Sequence, residues 1–151
     1  MKTNPTQTID ELITALSFII DVEGKEEFYH AWRVAVLTAK FSYNLGPQKR
    51  KEVFYAALLH DVGGIGLVRH ITHFLKQKNK SNQNALLSHP IIGAQLVSII
   101  PKMSPSAKLI LDHHEWFNGL GYPRGKINKY IPLGSQLIRA ADSIDIAMRY
   151  K

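Results

Sequence analysis

The chain carries two pairs of adjacent side chains that could do chemistry, His60-Asp61 and His113-His114, each followed by a glycine-containing stretch. Neighbouring residues on a helix point about 100° apart, so a His-His pair does not fit on a single apolar helix face. The pair is therefore either fortuitous, or placed so that both rings converge on one group from the end of a helix.

Further imidazole and carboxylate groups recur at comparable positions, namely Glu26, His30, His89 and Asp142. Together with the two pairs they make five histidines and three carboxylates, and the chain has no cysteine. Such a set suits Fe, Mn, Zn or a similar divalent ion. One ion takes three or four protein ligands, so the set suits two or three ions that share a bridging carboxylate. Two ions about 3.5–4 Å apart generate hydroxide at neutral pH and stabilise a phosphoryl displacement.

Helical periodicity dominates the sequence and predicts an all-α bundle of six to eight helices, a single domain over residues 1–151 with residues 1–11 as an N-terminal extension. Trp32 and Phe41 are expected in the core. Capping and proline signals set the predicted bounds. The predicted helices begin at a Thr8–Glu11 capping box and then cover 26–45, Pro47 to about His60, 68–78, 85–88, 91–100, 104–114 and 132–148, with a break at Pro90.

Composition limits the classes of function. The apolar fraction of 45% and the charged fraction of 21% are ordinary for a globular protein. No apolar run reaches the roughly 18 residues of a membrane span, and the polar start is not a signal peptide, so we expect a cytoplasmic protein. The net charge of +7 indicates an anionic partner or a solvated basic surface. No nucleic-acid motif accompanies the lysines, and a polymeric nucleic-acid partner is not expected.

Five stretches identify a known pattern: HAWRV (30–34), ALLHDVGGIG (57–66), HPIIG (89–93), HHEWFNGLGYP (113–123) and IPLGSQLIRAAD (131–142). In this order and at this spacing, the chain resembles the HD-GYP family of the HD superfamily of metal-dependent phosphohydrolases, from about Leu12 to Met148. The resemblance implies an HD-type helical bundle with a buried multinuclear metal site. It also implies a phosphodiesterase that hydrolyses cyclic di-GMP, a cyclic dinucleotide, by a metal-activated hydroxide.

The resemblance also implies which residues bind metal. One ion would be held by His30, His60, Asp61 and Asp142, and a second by His89, His113 and His114. Asp61 would bridge the two ions and is the expected catalytic residue. Glu26 lies one turn before His30 and would help to hold a third ion. Two or three divalent transition-metal ions are expected, with iron or manganese favoured and zinc or nickel as alternatives.

Residues 116–131, the GYP loop, are expected to border the substrate site. The implied substrate-binding residues are Gly121, Tyr122, Pro123, Arg124, Arg139 and Arg149. From the residues alone, Tyr122 either packs in a tight turn or contacts the ligand. Glu115 either orients a ligating histidine or caps a helix end.

The sequence departs from the family pattern at three phosphate-contacting positions, where Gly64 replaces a lysine and Trp116 and Gln136 replace arginines. Two alternatives therefore stand beside the leading hypothesis. One is an HD phosphohydrolase acting on another nucleotide or phosphate ester. The other is a catalytically weak or inactive metal-binding signalling domain whose GYP loop binds a partner protein. The missing basic residues favour this last class, and the complete ligand set argues against it.

Overall fold

The computed structural model of the chain describes residues 5–23, 29–65 and 80–149. These residues form six α-helices: α1 (Pro5–Glu23), α2 (His30–Phe41), α3 (Pro47–Leu58), α4 (Lys80–Ser98), α5 (Ser104–Leu111) and α6 (Leu133–Arg149). Short 3₁₀ helices span Val62–Gly64 and Asn128–Tyr130. Within the described ranges, β-structure is limited to one antiparallel bridge between Asn118 and Ile127. The predicted all-α bundle is confirmed.

The helices pack through apolar residues at helical spacing. Helix α2 lies against α3 and α6, and α4 lies against α5 and the 3₁₀ turn that follows α3. One hydrophobic cluster joins these elements, and its most deeply buried large side chains are Ile13, Val34, Leu58, Leu59, Val97, Ile110 and Ile138. None of the helices in the described part of the chain is long and apolar enough to cross a membrane.

Several helix bounds differ from the prediction. Helix α1 begins at Pro5 rather than at the Thr8 capping box, so the described part of the expected N-terminal extension belongs to α1. Helix α2 begins at His30 and ends at Phe41, short of residue 45. Glu26 and the helix predicted at 68–78 lie outside the described residues.

The predicted break at Pro90 is wrong, because α4 continues through this residue. Proline has no N–H, so the carbonyl four residues earlier, that of Leu86, loses its usual helical donor. The Nδ1 atom of His89 lies 2.6 Å from this carbonyl oxygen and supplies the missing hydrogen bond. The side chain that precedes the proline thus offsets part of the cost of keeping it in a helix.

Helix α4 crosses the 3₁₀ turn at very short range. A Cβ atom added to Gly63 would lie 2.1 Å from the carbonyl oxygen of His89 and 2.5 Å from the backbone nitrogen of Gly93. No larger residue fits without moving one backbone away from the other. This contact brings the His60-Asp61 pair beside His89.

Two buried acids, Asp112 and Glu115, anchor the GYP loop. Asp112 accepts hydrogen bonds from the side chains of Arg124 (Nε at 3.0 Å) and Lys126 (Nζ at 2.8 Å). Glu115 accepts the backbone N–H groups of the same two residues, at 2.6 and 2.7 Å. Glu115 was expected either to orient a histidine or to cap a helix end. In the structure both of its carboxylate oxygens instead bind the loop backbone.

The Gly63 contact leads to a stability prediction. Gly63→Ala should lower the free energy of unfolding by about 3 kcal/mol, since the added methyl group meets backbone atoms that cannot rotate away. Gly46→Ala is the matched control: a Cβ there meets nothing within 4 Å, and the change should cost less than about 1 kcal/mol. Urea denaturation measures both values. Equal stability of the two variants would contradict the close approach.

The loop anchor leads to a second prediction. Glu115→Ala removes the acceptor of two backbone N–H groups, each bond to a charged group contributing about 1.5–3 kcal/mol. The loop should open more often, and trypsin should cleave after Arg124 and Lys126 at least about tenfold faster. Glu52→Ala is the control, because that side chain accepts only an exposed bond from Gln48 among the interactions described. Mass spectrometry of early fragments gives the rates, and equal rates in both variants would show that Glu115 does not hold the loop.

Candidate metal centre

Five imidazole rings and two carboxylates converge at the centre of the bundle, and all seven side chains are buried. They come from the start of α2, the turn after α3, the middle of α4, the turn after α5 and the middle of α6. Their ligand atoms form two groups, within each of which the atoms lie no more than 4.8 Å apart. The first group is His30, His60 and Asp142, and the second is Asp61, His89, His113 and His114.

Asp61 faces both groups, with one carboxylate oxygen toward each. Its Oδ2 atom lies 3.3 Å from His60 Nε2 and 3.8 Å from His30 Nε2. Its Oδ1 atom lies 3.4 Å from His89 Nε2 and 3.8 Å from His113 Nε2. A carboxylate in this position is suited to bridge two cations.

Backbone carbonyls at helix ends and beside Pro90 orient three of the rings. The last carbonyls of an α-helix lack an intrahelical donor. At the end of α3 the carbonyl of Ala57 lies 2.8 Å from His60 Nδ1, and at the end of α5 that of Ile110 lies 2.6 Å from His113 Nδ1. His89 uses the carbonyl left by Pro90 in the same way. Because each Nδ1 donates its proton outward, each Nε2 presents a lone pair to the centre when the ring is neutral.

Asp145 orients the ring of His30. Its Oδ2 atom lies 2.8 Å from His30 Nδ1, and Arg33 donates to both of its oxygens, at 2.5 and 3.1 Å. Burial alone raises the pKa of Asp145, but the hydrogen bonds from His30 and Arg33 outweigh it and hold that pKa well below its usual value. The sequence analysis missed this residue. The sequence feature that could have identified Asp145 is its spacing from Asp142, which places the two aspartates one turn apart on an otherwise apolar helix face.

The electrostatics of the two groups differ. Burial lowers the pKa of His60, but the carboxylates of Asp61 and Asp142 outweigh burial and raise that pKa to about 9. Burial also lowers the pKa of His113 and His114 well below the usual value, and the neighbouring imidazoles lower it further. His113 and His114 are thus held as neutral imidazoles, the form that binds metal. At His60 the two neighbouring carboxylates instead favour a positive charge.

Two observations show that these residues suit metal ions. The Nε2 atom of His60 is buried and has no hydrogen-bond partner among the described residues. The Nε2 atom of His89 lies 3.3 Å from that of His113 and 3.1 Å from that of His114. Nitrogens bound at about 2.0–2.1 Å to one ion would lie at similar separations, about 3.0–3.4 Å. The buried His/Asp clusters therefore form a site suited to more than one metal ion.

The Gly-Tyr-Pro segment packs against the ligands. A Cβ atom at Gly121 would lie 2.2 Å from the backbone nitrogen of Trp116, so the loop touches the chain that follows the His pair. The ring of Tyr122 stacks on that of His114, with centroids 4.7 Å apart and planes 19° apart. Pro123 follows through a cis peptide bond. The geometry makes Tyr122 a packing partner of His114, and its contact with substrate stays a prediction.

Each of the three arginines predicted to bind substrate forms an ion pair with a buried aspartate. Arg124 contacts Asp112, Arg139 Nη1 lies 3.3 Å from Asp142 Oδ2, and Arg149 Nε lies 3.8 Å from Asp145 Oδ2. Of these partners, Asp142 is itself one of the predicted metal ligands. The structure thus brings Arg139 into contact with the ligand groups and ties Arg124 to the base of the loop.

Comparison with known proteins is consistent with this geometry. A cyclic di-GMP phosphodiesterase of Thermotoga maritima is 29% identical over 139 residues, which is 89% of this chain and 38% of the relative. A 3'3'-cGAMP-specific phosphodiesterase of Vibrio cholerae is 29% identical over 136 residues, 89% of this chain and 30% of the relative. The chain thus spans about a third of the length of these relatives.

Solved structures share the fold. A crystal structure of a cyclic GMP-AMP-specific phosphodiesterase of V. cholerae superposes with a TM-score of 0.73 at 18% identity, covering 91% of this chain and 40% of that one. An HD-GYP-type protein of Bdellovibrio bacteriovorus superposes with a TM-score of 0.69 at 25% identity, covering 82% and 41%. The family profile described as HD domain matches residues 16–148. Because this match contains every residue of both ligand groups, the chain belongs to the HD domain family.

Proposed function

We propose that the chain is a metal-dependent phosphodiesterase that hydrolyses cyclic di-GMP. The observation that carries the proposal is the position of Asp61, whose two oxygens face separate groups of buried imidazoles. Such a carboxylate serves two cations at once, and paired cations are the arrangement that supports in-line displacement at phosphorus.

The roles of the residues follow from the two groups. His30, His60 and Asp142 would hold one ion, His89, His113 and His114 would hold the other, and Asp61 would be shared between them. When bound, the ions lower the pKa of water and neutralise charge on a phosphate. Hydrogen bonds at Nδ1 orient the rings of His30, His60, His89 and His113 with Nε2 toward the centre, so metal binding needs little reorganisation. Iron or manganese is the favoured metal.

Among the described residues, Arg139 is the cation best placed to contact the substrate phosphate. It lies beside Asp142, and it also lies close enough to His114 and Tyr122 to affect their pKa values. A guanidinium there can hold a phosphate oxygen through a charge-assisted hydrogen bond. Arg124 and Arg149 are held farther along the loop and α6 by Asp112 and Asp145, and their predicted substrate contacts are part of the same proposal.

A second candidate substrate is 3'3'-cGAMP. The V. cholerae relative named for this nucleotide matches the chain at the same identity as the T. maritima relative named for cyclic di-GMP. Both molecules present the same type of phosphodiester to the metal centre, so the ligand groups do not distinguish them. Parallel assays of the two nucleotides decide between the candidates.

The bridging role of Asp61 predicts a pattern of metal contents. His60→Ala and His114→Ala each disturb one group and should each remove about one ion per chain. Asp61→Ala should remove most of both, because its carboxylate serves both ions. Elemental analysis of protein loaded anaerobically measures the contents, with Glu52→Ala as a control that should match the wild type. If Asp61→Ala loses no more metal than His60→Ala, the bridge is refuted.

The replacement of basic residues by Gly64, Trp116 and Gln136 predicts a low rate of cyclic di-GMP hydrolysis. A missing cation at a developing phosphoryl charge costs about 10²–10³ in rate. Metal-loaded protein should therefore hydrolyse cyclic di-GMP at a rate below that of a relative with a lysine at position 64, and Gly64→Lys should raise the rate at least about tenfold. Product formation is followed by chromatography, with Gly46→Lys as a charge-matched control. Metal-loaded protein that cleaves neither cyclic dinucleotide would contradict the proposed function.

A further inference from the structure

An exposed tryptophan lies next to the metal centre. Trp116 follows Glu115 directly, and its side chain is 43% exposed. The guanidinium carbon of Arg139 lies 5.7 Å from the centroid of the indole ring. Since Arg139 also contacts Asp142 at 3.3 Å, one side chain connects the indole to the first ligand group.

Trp116 and Arg139 line an open cavity between the GYP loop and α6. The cavity has a volume of about 310 Å³, and its lining also includes Phe117, Ile131 and Gln136. This volume lies at the lower end of the range of about 300–1,000 Å³ for small-molecule sites. Its lining combines aromatic and aliphatic surface with a cation, an amide, the Ser143 hydroxyl and the Glu115 carboxylate, which suits a planar polar ring better than a second phosphate.

We propose that this cavity binds a nucleobase of the substrate, stacked on Trp116, while Arg139 contacts the phosphate next to it. The proposal rests on the proposed function, because the phosphodiester must lie at the metal centre for the base to reach the cavity. Arg139 contacts both Asp142 and the indole, so the predicted phosphate contact and the aromatic surface are adjacent. Stacking on an aromatic ring accepts any base, so this contact selects for a base rather than for a particular one.

The surroundings of Trp116 favour a stacking role over a packing role. A tryptophan that packs in a core is covered by apolar neighbours, whereas this one has nearly half of its surface exposed and a cation over its ring. Glu115, the residue before Trp116, anchors the loop backbone, and Arg139 lies over the indole ring, so the aromatic surface is positioned before a ligand arrives. A preorganised aromatic surface loses little conformational entropy on binding.

Tryptophan fluorescence tests the proposal directly. The chain has two tryptophans, and Trp32 packs against the core. Trp32→Phe therefore leaves Trp116 as the single reporter. In metal-loaded protein, GMP should quench this fluorescence, whereas ribose 5-phosphate, which has the phosphate and sugar but no base, should not. Absence of quenching by GMP at concentrations where calorimetry detects binding would overturn the proposal.

A set of variants separates stacking from folding. Trp116→Ala should weaken GMP binding about 5- to 150-fold, equivalent to about 1–3 kcal/mol at tenfold per 1.4 kcal/mol, and leave ribose 5-phosphate binding unchanged. Trp116→Phe should retain GMP affinity within about threefold of the wild type. Tyr43→Ala, which removes another exposed aromatic ring, should bind GMP as the wild type does. Calorimetry and thermal melting are measured on each protein.

The outcomes distinguish this proposal from the proposed function. Equal loss of GMP and ribose 5-phosphate binding in Trp116→Ala would overturn stacking even if cyclic di-GMP is hydrolysed. Selective loss of GMP binding in a protein that cleaves no cyclic dinucleotide would support the base site and contradict the phosphodiesterase. In an active protein, Trp116→Ala should raise KM by the same factor and change kcat less than about threefold.

Discussion

The carboxylate of Asp61 is the group on which the rest of the structure depends. A buried carboxylate is costly unless cations or hydrogen-bond donors surround it. Here one oxygen faces each of two imidazole groups, so the whole site is organised around a single side chain. The bundle must bring five helices, α2 to α6, to that point. The contact between Gly63 and α4 shows how little space remains between these elements.

The imidazole rings of the site are oriented largely by backbone carbonyls at helix ends and beside Pro90. His60 and His113 follow helix ends and use the last carbonyls, and His89 uses the carbonyl that Pro90 cannot bond. No additional polar side chain has to be buried to fix these three tautomers. His30 begins its helix, where no free carbonyl is at hand, and a carboxylate, Asp145, takes that role.

Much of this was predictable from the sequence because the information is local. Apolar periodicity gave the helical class, and the matching stretches gave the order of the ligands. Features that depend on tertiary contacts were not predicted. These are the continuity of α4 at Pro90, the contact of Asp145 with His30, and the anchoring of the loop by Asp112 and Glu115. Phe41, expected in the core, is 40% exposed, because helical spacing shows that a face is apolar but not whether another element covers it.

The anchoring of the GYP loop explains how the chain tolerates an altered motif. Asp112 and Glu115 lie immediately before and after the His pair, so the acids that hold the loop are covalently tied to two of the ligands. Asn118 accepts the Leu120 N–H through Oδ1 at 3.0 Å. Turn formation needs an acceptor there and not a charge. Exposed loop positions such as Trp116 can therefore change the surface offered to a ligand without displacing the histidines beneath it.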